Sequence, residues 1–399
     1  MVDISNIHKK PLYFDHHATT PVDPRVLESM LPFFTESFGN AASVDHLYGD
    51  EAAREVEKSR GKIASLIGCH PQEIIFTSGA TESNNLAIIG VARRYSEKGR
   101  HIVTCITEHK AVLDTCKYLE TEGFQITYLK VNKQGLIDLD ELNSAIKDET
   151  ILISVMSANN EIGTLSPLAE IGAIAKGKGI LFHSDAAQAF GHIPIDVEAM
   201  GIDLLSISGH KIYGPKGVGA LYVRRLRPRV KLASLIHGGD HEHGLRAGTL
   251  NVPGIVGLGV AAELAKSEMP VEGNRLITLR TYLLESLRRK IEGIELNGHP
   301  VNRLPHNLSV YLPGIENRAL LVMLKRDVAL STGSACTSTN VEPSHVILAL
   351  GYSEERAHST LRIGLGRGNT KNEIDYLVDR LTEAVRCLRS LNQAHLSLS

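Results

Sequence analysis

The sequence predicts an α/β protein: a large domain built on a mostly parallel seven-stranded sheet between helices, plus a smaller α+β domain. Three observations predict it. Short β-rich apolar runs alternate with segments of helical spacing. Small and polar residues cluster directly after the ends of those runs. After about residue 262 the pattern changes to long helices with few strands.

The seven predicted strands are EIIFTS (73–78), HIVTCIT (101–107), ITYLKV (126–131), ILISVMSA (151–158), ILFHSDA (180–186), LLSIS (204–208) and GALYVR (219–224). Between them, Ser166 as N-cap with Pro167 in the first turn opens a helix that Gly177 and Gly179 close. Farther on, ELNGH, LSVYL and ALSTG predict a few more strands. Thr370 and Glu373 form a capping box ahead of an apolar stripe at Ile374, Leu377, Val378, Leu381, Val385 and Leu388. The expected division is a large domain over 20–262 and a small one from 1–19 with 263–399.

Composition excludes several classes. At 399 residues the chain is long for one core, and 43% hydrophobic with 22% charged residues is ordinary for a globular protein. A net charge of −2 makes no case for direct contact with nucleic acid or for a membrane surface. No tract approaches the ~18 apolar residues of a spanning helix, and MVDISNIHKK lacks the apolar core of a signal peptide. Five cysteines without tight pairs do not make a disulfide framework. The expected location is cytoplasmic.

The chemistry lies where ligands collect in open α/β sheets, beyond the carboxyl ends of the strands. There the sequence places Gly79-Ala80-Thr81-Glu82-Ser83-Asn84, then Glu108 and His109, then Asn159-Asn160-Glu161, then Asp185 and Gln188, and finally Ser208, His210 and Lys211. Each has a plain structural reading: a turn, a loop histidine, a helix cap, or a lysine snorkelling to solvent. One ligand explains them together. Pyridoxal phosphate needs a lysine for its aldehyde, helix-terminal amides and hydroxyls for its phosphate, and a carboxylate at its ring nitrogen. Lys211, the Gly79–Thr81 turn with Ser208 and His210, and Asp185 suit those roles, with Lys211 carrying the covalent imine.

The runs SGATESNN, SANNEIG, SDAAQ, SGHKIYGPKGVG, RAGT and SGSACTS-like STGSACTS resemble those of class I (NifS/IscS-type) cysteine desulfurases, fold type I pyridoxal phosphate enzymes of aminotransferase class V. The resemblance extends from about residue 12 to about 392. It implies that Ala80, Thr81, Ser208 and His210 hold the phosphate, that His109 stacks on the ring, and that Asn160 and Gln188 touch the ring-hydroxyl side. It further implies that Asp185 pairs with the ring nitrogen and that Thr249 reaches the phosphate of a partner subunit in a homodimer. Arg362 matches the residue that receives the substrate carboxylate, with Asn40 assisting. Ala41 stands where a proline is common in the family.

Cys336 lies in S331-T-G-S-A-C-T-S-T-N340, rich in small polar residues, whereas Cys105, Cys116 and Cys387 suit small buried hydrophobes and Cys69 a loop thiol. With the pyridoxal site it implies a reaction in which L-cysteine binds the cofactor, Lys211 shuttles the α-proton, and the Cys336 thiolate takes the sulfur as a persulfide while alanine leaves. The acceptors implied are an iron–sulfur scaffold or another sulfur-acceptor protein, with tRNA thiolation as a second destination. No intrinsic metal site is expected, although Cys336 could serve as an iron–sulfur ligand shared with a scaffold, and the histidines of H237-G-G-D-H-E-H243 admit a metal reading. Competing readings are a selenocysteine lyase, an aminotransferase of the same fold, which leaves Cys336 without a role, and an inert assembly scaffold.

Overall fold

The structure is a computed structural model and describes residues 10–226, 229–333 and 342–396, the side chains of 392–396 excepted. Its strands are β1 (Leu12–Tyr13), β2 (Ile74–Thr77), β3 (His101–Cys105), β4 (Gln125–Leu129), β5 (Thr150–Ser154), β6 (Leu181–Asp185), β7 (Leu204–Ser208), β8 (Gly219–Val223), β9 (Glu295–Leu296), β10 (Asn307–Tyr311), β11 (Val328–Ala329) and β12 (Thr360–Gly364). The seven predicted runs are β2 to β8. They form one sheet in the order β2-β8-β7-β6-β5-β3-β4, parallel except where β8 meets its neighbours. The reversal has a simple cause. Only residues 209–218 separate β7 from β8, too few for the crossover that a parallel pair requires.

Strands β2, β3, β5, β7 and β8 are buried along their whole length. That is why they read as continuous apolar runs and not as alternating ones. Chain order runs outward from β3 to β4 and then back through β5, β6 and β7, so the direction switches between β3 and β5. The crevice at such a switch is the expected ligand position.

Of four hydrophobic clusters among the described residues, two are joined by one long helix. One packs Phe76, Val103, Ile153, Phe182 and Leu205 of the sheet against Ile63 and Ile67 of helix Leu47–Ile67. The other joins Phe14, Leu308, Val310, Leu361 and Ile363 to Leu377 and Leu381 of helix Lys371–Leu396. A 39-residue helix, Val252–Lys290, runs through residue 262 without a break. It gives Ile255, Val256 and Leu258 to the first cluster and Leu276, Leu283 and Leu287 to the second. The second cluster lies against an antiparallel sheet β12-β10-β9, and β1 pairs in parallel with β11.

Local expectations fare unevenly. Thr370 and Glu373 cap each other reciprocally, Thr370 N donating to Glu373 Oε2 at 2.8 Å and Glu373 N to Thr370 Oγ1 at 3.3 Å. The helix expected to have Ser166 as N-cap and Pro167 in its first turn begins one residue later, at Leu168, with Pro167 at the cap. Ser166 donates its N–H to Ser157 O at 3.1 Å. Gly179, left-handed at φ 68°, closes that helix, while Gly177 lies inside it. Cys105 and Cys116 are buried as expected, but Cys387 faces solvent from helix Lys371–Leu396. Cys336 lies outside the described residues.

Candidate active site

Helix Ala80–Tyr95 starts directly after β2, and its N-cap, Gly79, sits at φ 152° with no side-chain cap. The backbone is tight there: a Cβ on Gly219 of β8 would lie 2.6 Å from Gly79 Cα. Glycine at both positions therefore leaves the first-turn amides of Ala80 and Thr81 open, an arrangement suited to an anion. His210, in the turn after β7, meets Thr19 Oγ1 through Nδ1 at 3.1 Å, and burial lowers its pKa to about 4. Ser208 ends β7 and is buried.

Asp185 ends β6 and is buried. Asn84 Nδ2 donates to its Oδ2 at 2.7 Å and Ala187 N to its Oδ1 at 2.9 Å, so both oxygens are oriented. Glu108, after β3, is fully buried and takes one hydrogen bond, from Met156 N at 2.7 Å. Burial pushes its carboxyl well above the usual range. The adjoining His109 is exposed and caps helix Lys110–Thr121, its Nδ1 accepting from Ala111 N at 3.1 Å.

Lys211 closes a 3-10 turn after β7. Its Nζ donates to the carbonyl oxygens of His17 (2.5 Å) and Ala18 (2.9 Å). Burial foremost, then the Arg362 guanidinium, lowers its pKa to about 8. Two residues on, Tyr213 takes a left-handed φ of 64°, uncommon for a bulky residue. It is held by Thr20 Oγ1, which accepts from Tyr213 N at 2.8 Å, and by Arg367, whose N donates to Tyr213 Oη at 2.6 Å.

Gln188 is engaged by one residue, His17: its Oε1 accepts from the ring Nδ1 at 2.9 Å and its Nε2 donates to the carbonyl at 3.0 Å. Asn307 Nδ2 faces His17 Nε2 at 3.1 Å, so Nδ1 carries the proton. His17 stacks on His306 (4.4 Å between centroids), which meets His192 (4.2 Å), whose Nε2 reaches Lys211 O at 2.9 Å.

Arg362, in β12, is buried and extends across to the sheet edge. Its Nη2 pairs with Asp15 Oδ1 at 3.0 Å, and its Nη1 donates to Asn160 O (3.0 Å) and Gly333 O (3.2 Å). Among the described residues, buried atoms at this rim without partners include Arg362 Nε, Asn160 Oδ1, Asn84 Oδ1 and Glu108 Oε2. Buried polar groups of this kind ask for a ligand or water.

The described structure thus gathers Ala80, Thr81, Asn160, Asp185, Gln188, Ser208, His210, Lys211 and Arg362 around the strand ends. Asn40 is not joined to Arg362 by any described hydrogen bond; it is exposed, its Oδ1 accepting from Ala42 N at 3.0 Å. Thr249 is exposed as well, in a loop that Arg246 fastens to Glu82 at 3.0 Å. Asp15 and the histidine stack were missed by sequence reasoning, while Asn84 and Glu108 were named among the polar residues at the strand ends but given no role. Asn84 stands in the polar run that opens its helix, and Asp15-His16-His17 is an unusually polar run beside a strand, so a signal existed for both. Among the described residues no three His, Cys, Asp or Glu side chains converge as metal ligands, and none of the helices is long and apolar enough to cross a membrane.

The group these residues fit is pyridoxal phosphate: an amine of lowered pKa, a doubly held buried carboxylate, an uncapped helix start and an unpartnered amide oxygen stand at one rim. The aminotransferase class-V model matches residues 12–377. The chain belongs to that family, in its cysteine desulfurase branch. It is 53% identical over 384 residues to cysteine desulfurase IscS of Anaeromyxobacter dehalogenans (strain 2CP-C), covering 96% of this chain and 95% of the relative. Among solved structures, a NifS-like protein superposes with a TM-score of 0.88 at 40% identity, covering 94% of this chain and 99% of the other. A structure described as SspA in complex with cysteine gives 0.79 at 42% identity, covering 90% and 99%.

Proposed function

We propose that this protein is a pyridoxal-phosphate-dependent cysteine desulfurase that converts L-cysteine to L-alanine and passes the sulfur on from Cys336. The observation that carries the reading is Lys211: an amine in the turn after β7, held by the carbonyl oxygens of His17 and Ala18, has its pKa lowered by burial and by the Arg362 guanidinium and feels the buried Asp185 carboxylate.

Pyridoxal phosphate, when bound, supplies an aldehyde for amine exchange and a ring that takes up electrons from the substrate α-carbon. The chain does the rest. Arg362 receives the substrate carboxylate through its unpartnered Nε. Lys211 Nζ, neutral above about pH 8, takes the α-proton and returns one. Asp185, fixed by Asn84 and Ala187, holds a proton at the ring nitrogen. Asn160 and Gln188 serve the ring-hydroxyl side, His109 covers the ring, and Ala80, Thr81, Ser208 and His210 take the phosphate. The Cys336 thiolate attacks the substrate sulfur, so an S–S bond forms as the C–S bond breaks, leaving a persulfide on Cys336.

The same reading assigns residues 20–262 to a large domain, with 1–19 and 263–399 forming a small one that carries Cys336. It makes the protein a cytoplasmic homodimer in which Thr249 completes the partner's phosphate site. The sulfur goes to an iron–sulfur scaffold or another acceptor protein.

The test is Cys336→Ala. The variant should bind pyridoxal phosphate and change its visible spectrum on addition of L-cysteine, yet form alanine at least about a thousandfold more slowly. Alanine formation at the parent rate would make Cys336 structural and the reaction a lyase reaction.

A further inference from the structure

Both polar atoms of the Gln188 amide are engaged by one residue. Oε1 meets the His17 ring at 2.9 Å, and Nε2 donates to the His17 carbonyl at 3.0 Å. The described hydrogen bonds leave that amide one N–H at the Nε2 end and one lone pair at the Oε1 end. A half-turn of the amide would exchange the two ends, so what Gln188 offers a ligand depends on which way the amide is held.

The direction is fixed from behind, starting at Arg303, whose guanidinium has donors and no acceptor. Its Nη2 donates to Asn307 Oδ1 at 2.8 Å. The other end of that amide, Nδ2, meets the Glu161 carbonyl at 3.2 Å, and a carbonyl only accepts. Both contacts give Asn307 the same orientation, with its donors at Nδ2. Nδ2 also faces His17 Nε2 at 3.1 Å, which makes Nε2 the acceptor and leaves the ring proton on Nδ1. His17 is 1% exposed, and burial foremost, then Arg362, holds its pKa well below 6.5. The ring is therefore neutral, with one proton to give, and Gln188 Oε1 receives it. That sends Nε2 to the His17 carbonyl, the same oxygen that accepts from Lys211 Nζ at 2.5 Å. The N–H end of Gln188 is thus the end turned toward Lys211.

We propose that His17 is a positioning residue that holds Gln188 as a hydrogen-bond donor toward the ring oxygen of pyridoxal phosphate, which rests on the function proposed above. A donor there stabilises the ring oxygen as an anion, whereas a reversed amide would present Oε1 and repel it. The bond is strongest when the imine nitrogen has lost its proton and no longer shares that oxygen. It therefore lowers the pH at which the imine loses its proton.

The apoprotein is tested first, by nitrogen NMR of the His17 ring. A neutral ring protonated at Nδ1 is expected; protonation at Nε2, or at both nitrogens, overturns the proposal. The holoenzyme is then titrated, following the pH midpoint of its visible cofactor band in the parent, Gln188→Ala, His17→Ala and His17→Asn. Asn carries an amide donor near the place of Nδ1, and the residue-17 carbonyl survives in every variant. So do Arg362, Lys211 and His192, which face His17, and Asp15 and Asp185, which face Lys211. Gln188→Ala and His17→Ala should each raise the midpoint by about one pH unit, the tenfold effect of a hydrogen bond to a charged group. His17→Asn should bring it back to within about 0.3 unit of the parent. An unmoved midpoint in His17→Ala, or a failure of His17→Asn to restore it, overturns the role of His17. An unmoved or lowered midpoint in Gln188→Ala overturns the donor assignment. If His17→Ala does not fold, the NMR result and His17→Asn decide. A parent protein that takes up no cofactor and shows no visible band sinks the pyridoxal phosphate reading instead.

Discussion

Asn84 Nδ2 donates to Asp185 Oδ2 across 2.7 Å in the protein interior, joining the first turn of a helix to the end of a strand 101 residues later. Under the proposed assignment, the contact links the phosphate side of the site to the ring-nitrogen side. Asn84→Ala leaves Asp185 with Ala187 N as its described donor. Loss of a hydrogen bond to a buried charge should weaken pyridoxal phosphate binding about tenfold or more. Absorbance titration of the apoprotein measures this, and unchanged affinity would detach Asn84 from the cofactor.

Lys211 gives a pH dependence with a defined direction. Burial, then Arg362, brings its amine from 10.5 to about 8, so the nucleophilic neutral form becomes common within reach of neutral pH. Covalent uptake of pyridoxal phosphate by the apoprotein should rise between pH 7 and 9 with a midpoint near 8. Borohydride should then fix the cofactor to Lys211. The same shift bears on stability. Between about 8 and 10.5 the unfolded chain binds the extra proton, so the cost of burying the ammonium is present in full below pH 8 and is relieved as pH rises through that window. A midpoint near 10.5 would contradict the assignment.

The stacked histidines predict a loss of stability in mild acid. His16 is lowered to about 4, and His17 and His306 lie well below 6.5, in each case chiefly by burial. His192 is lowered for the same reason, with Glu272 opposing and Arg367 and Lys211 adding to the shift. Arg362 and Lys211 face His17, and Arg280 faces His306. Below pH 6.5 the unfolded chain takes up protons that the folded chain refuses, so stability falls as pH drops toward 4, by up to ~1.4 kcal/mol per pH unit for each titrating histidine. Thermal unfolding between pH 7.5 and 5 should show the decline, and His306→Phe should flatten it. An unchanged slope in that variant would place the acid sensitivity elsewhere.

Thr249 faces solvent while the loop around it is fastened to the helix that begins at Ala80. If Thr249 serves a second copy, dilution to monomer should loosen the cofactor, and Thr249→Ala should weaken its binding only in the dimer. Light scattering paired with absorbance reads both. A cofactor-tight monomer would refute the shared site.

The sheet was legible because five of its seven strands are buried along their whole length, and burial writes itself as unbroken apolar runs such as IIFT and LLSIS. The residues at the strand ends were legible for the opposite reason: Asp185 and Lys211 are polar where the pattern is apolar. Contacts between distant stretches were not. Asp15 and His17 carry no local mark tying them to Arg362 and Gln188, since each pairing crosses well over 100 residues of chain. The start of helix Leu168–Lys178 slipped by one residue, its cap falling on Pro167 and not on Ser166. Cys387 was misjudged because a helical thiol can face either way.

The pairing of the chain's first strand with one of its last has a consequence for biosynthesis. Leu12 and Tyr13 align with Val328 and Ala329, and Asp15 bridges to Gly364. The ribosome makes Asp15 about 350 residues before Gly364, an interval of roughly 20–70 s at ordinary translation speeds. Until then the carbonyls of His17 and Ala18 that receive Lys211 belong to an arm whose described strand partners are incomplete, β11 arriving first and β12 last. The large sheet can form during synthesis, but the nascent chain reaches a competent centre only when its last strand leaves the ribosome, so a truncated product can be well folded and still chemically silent.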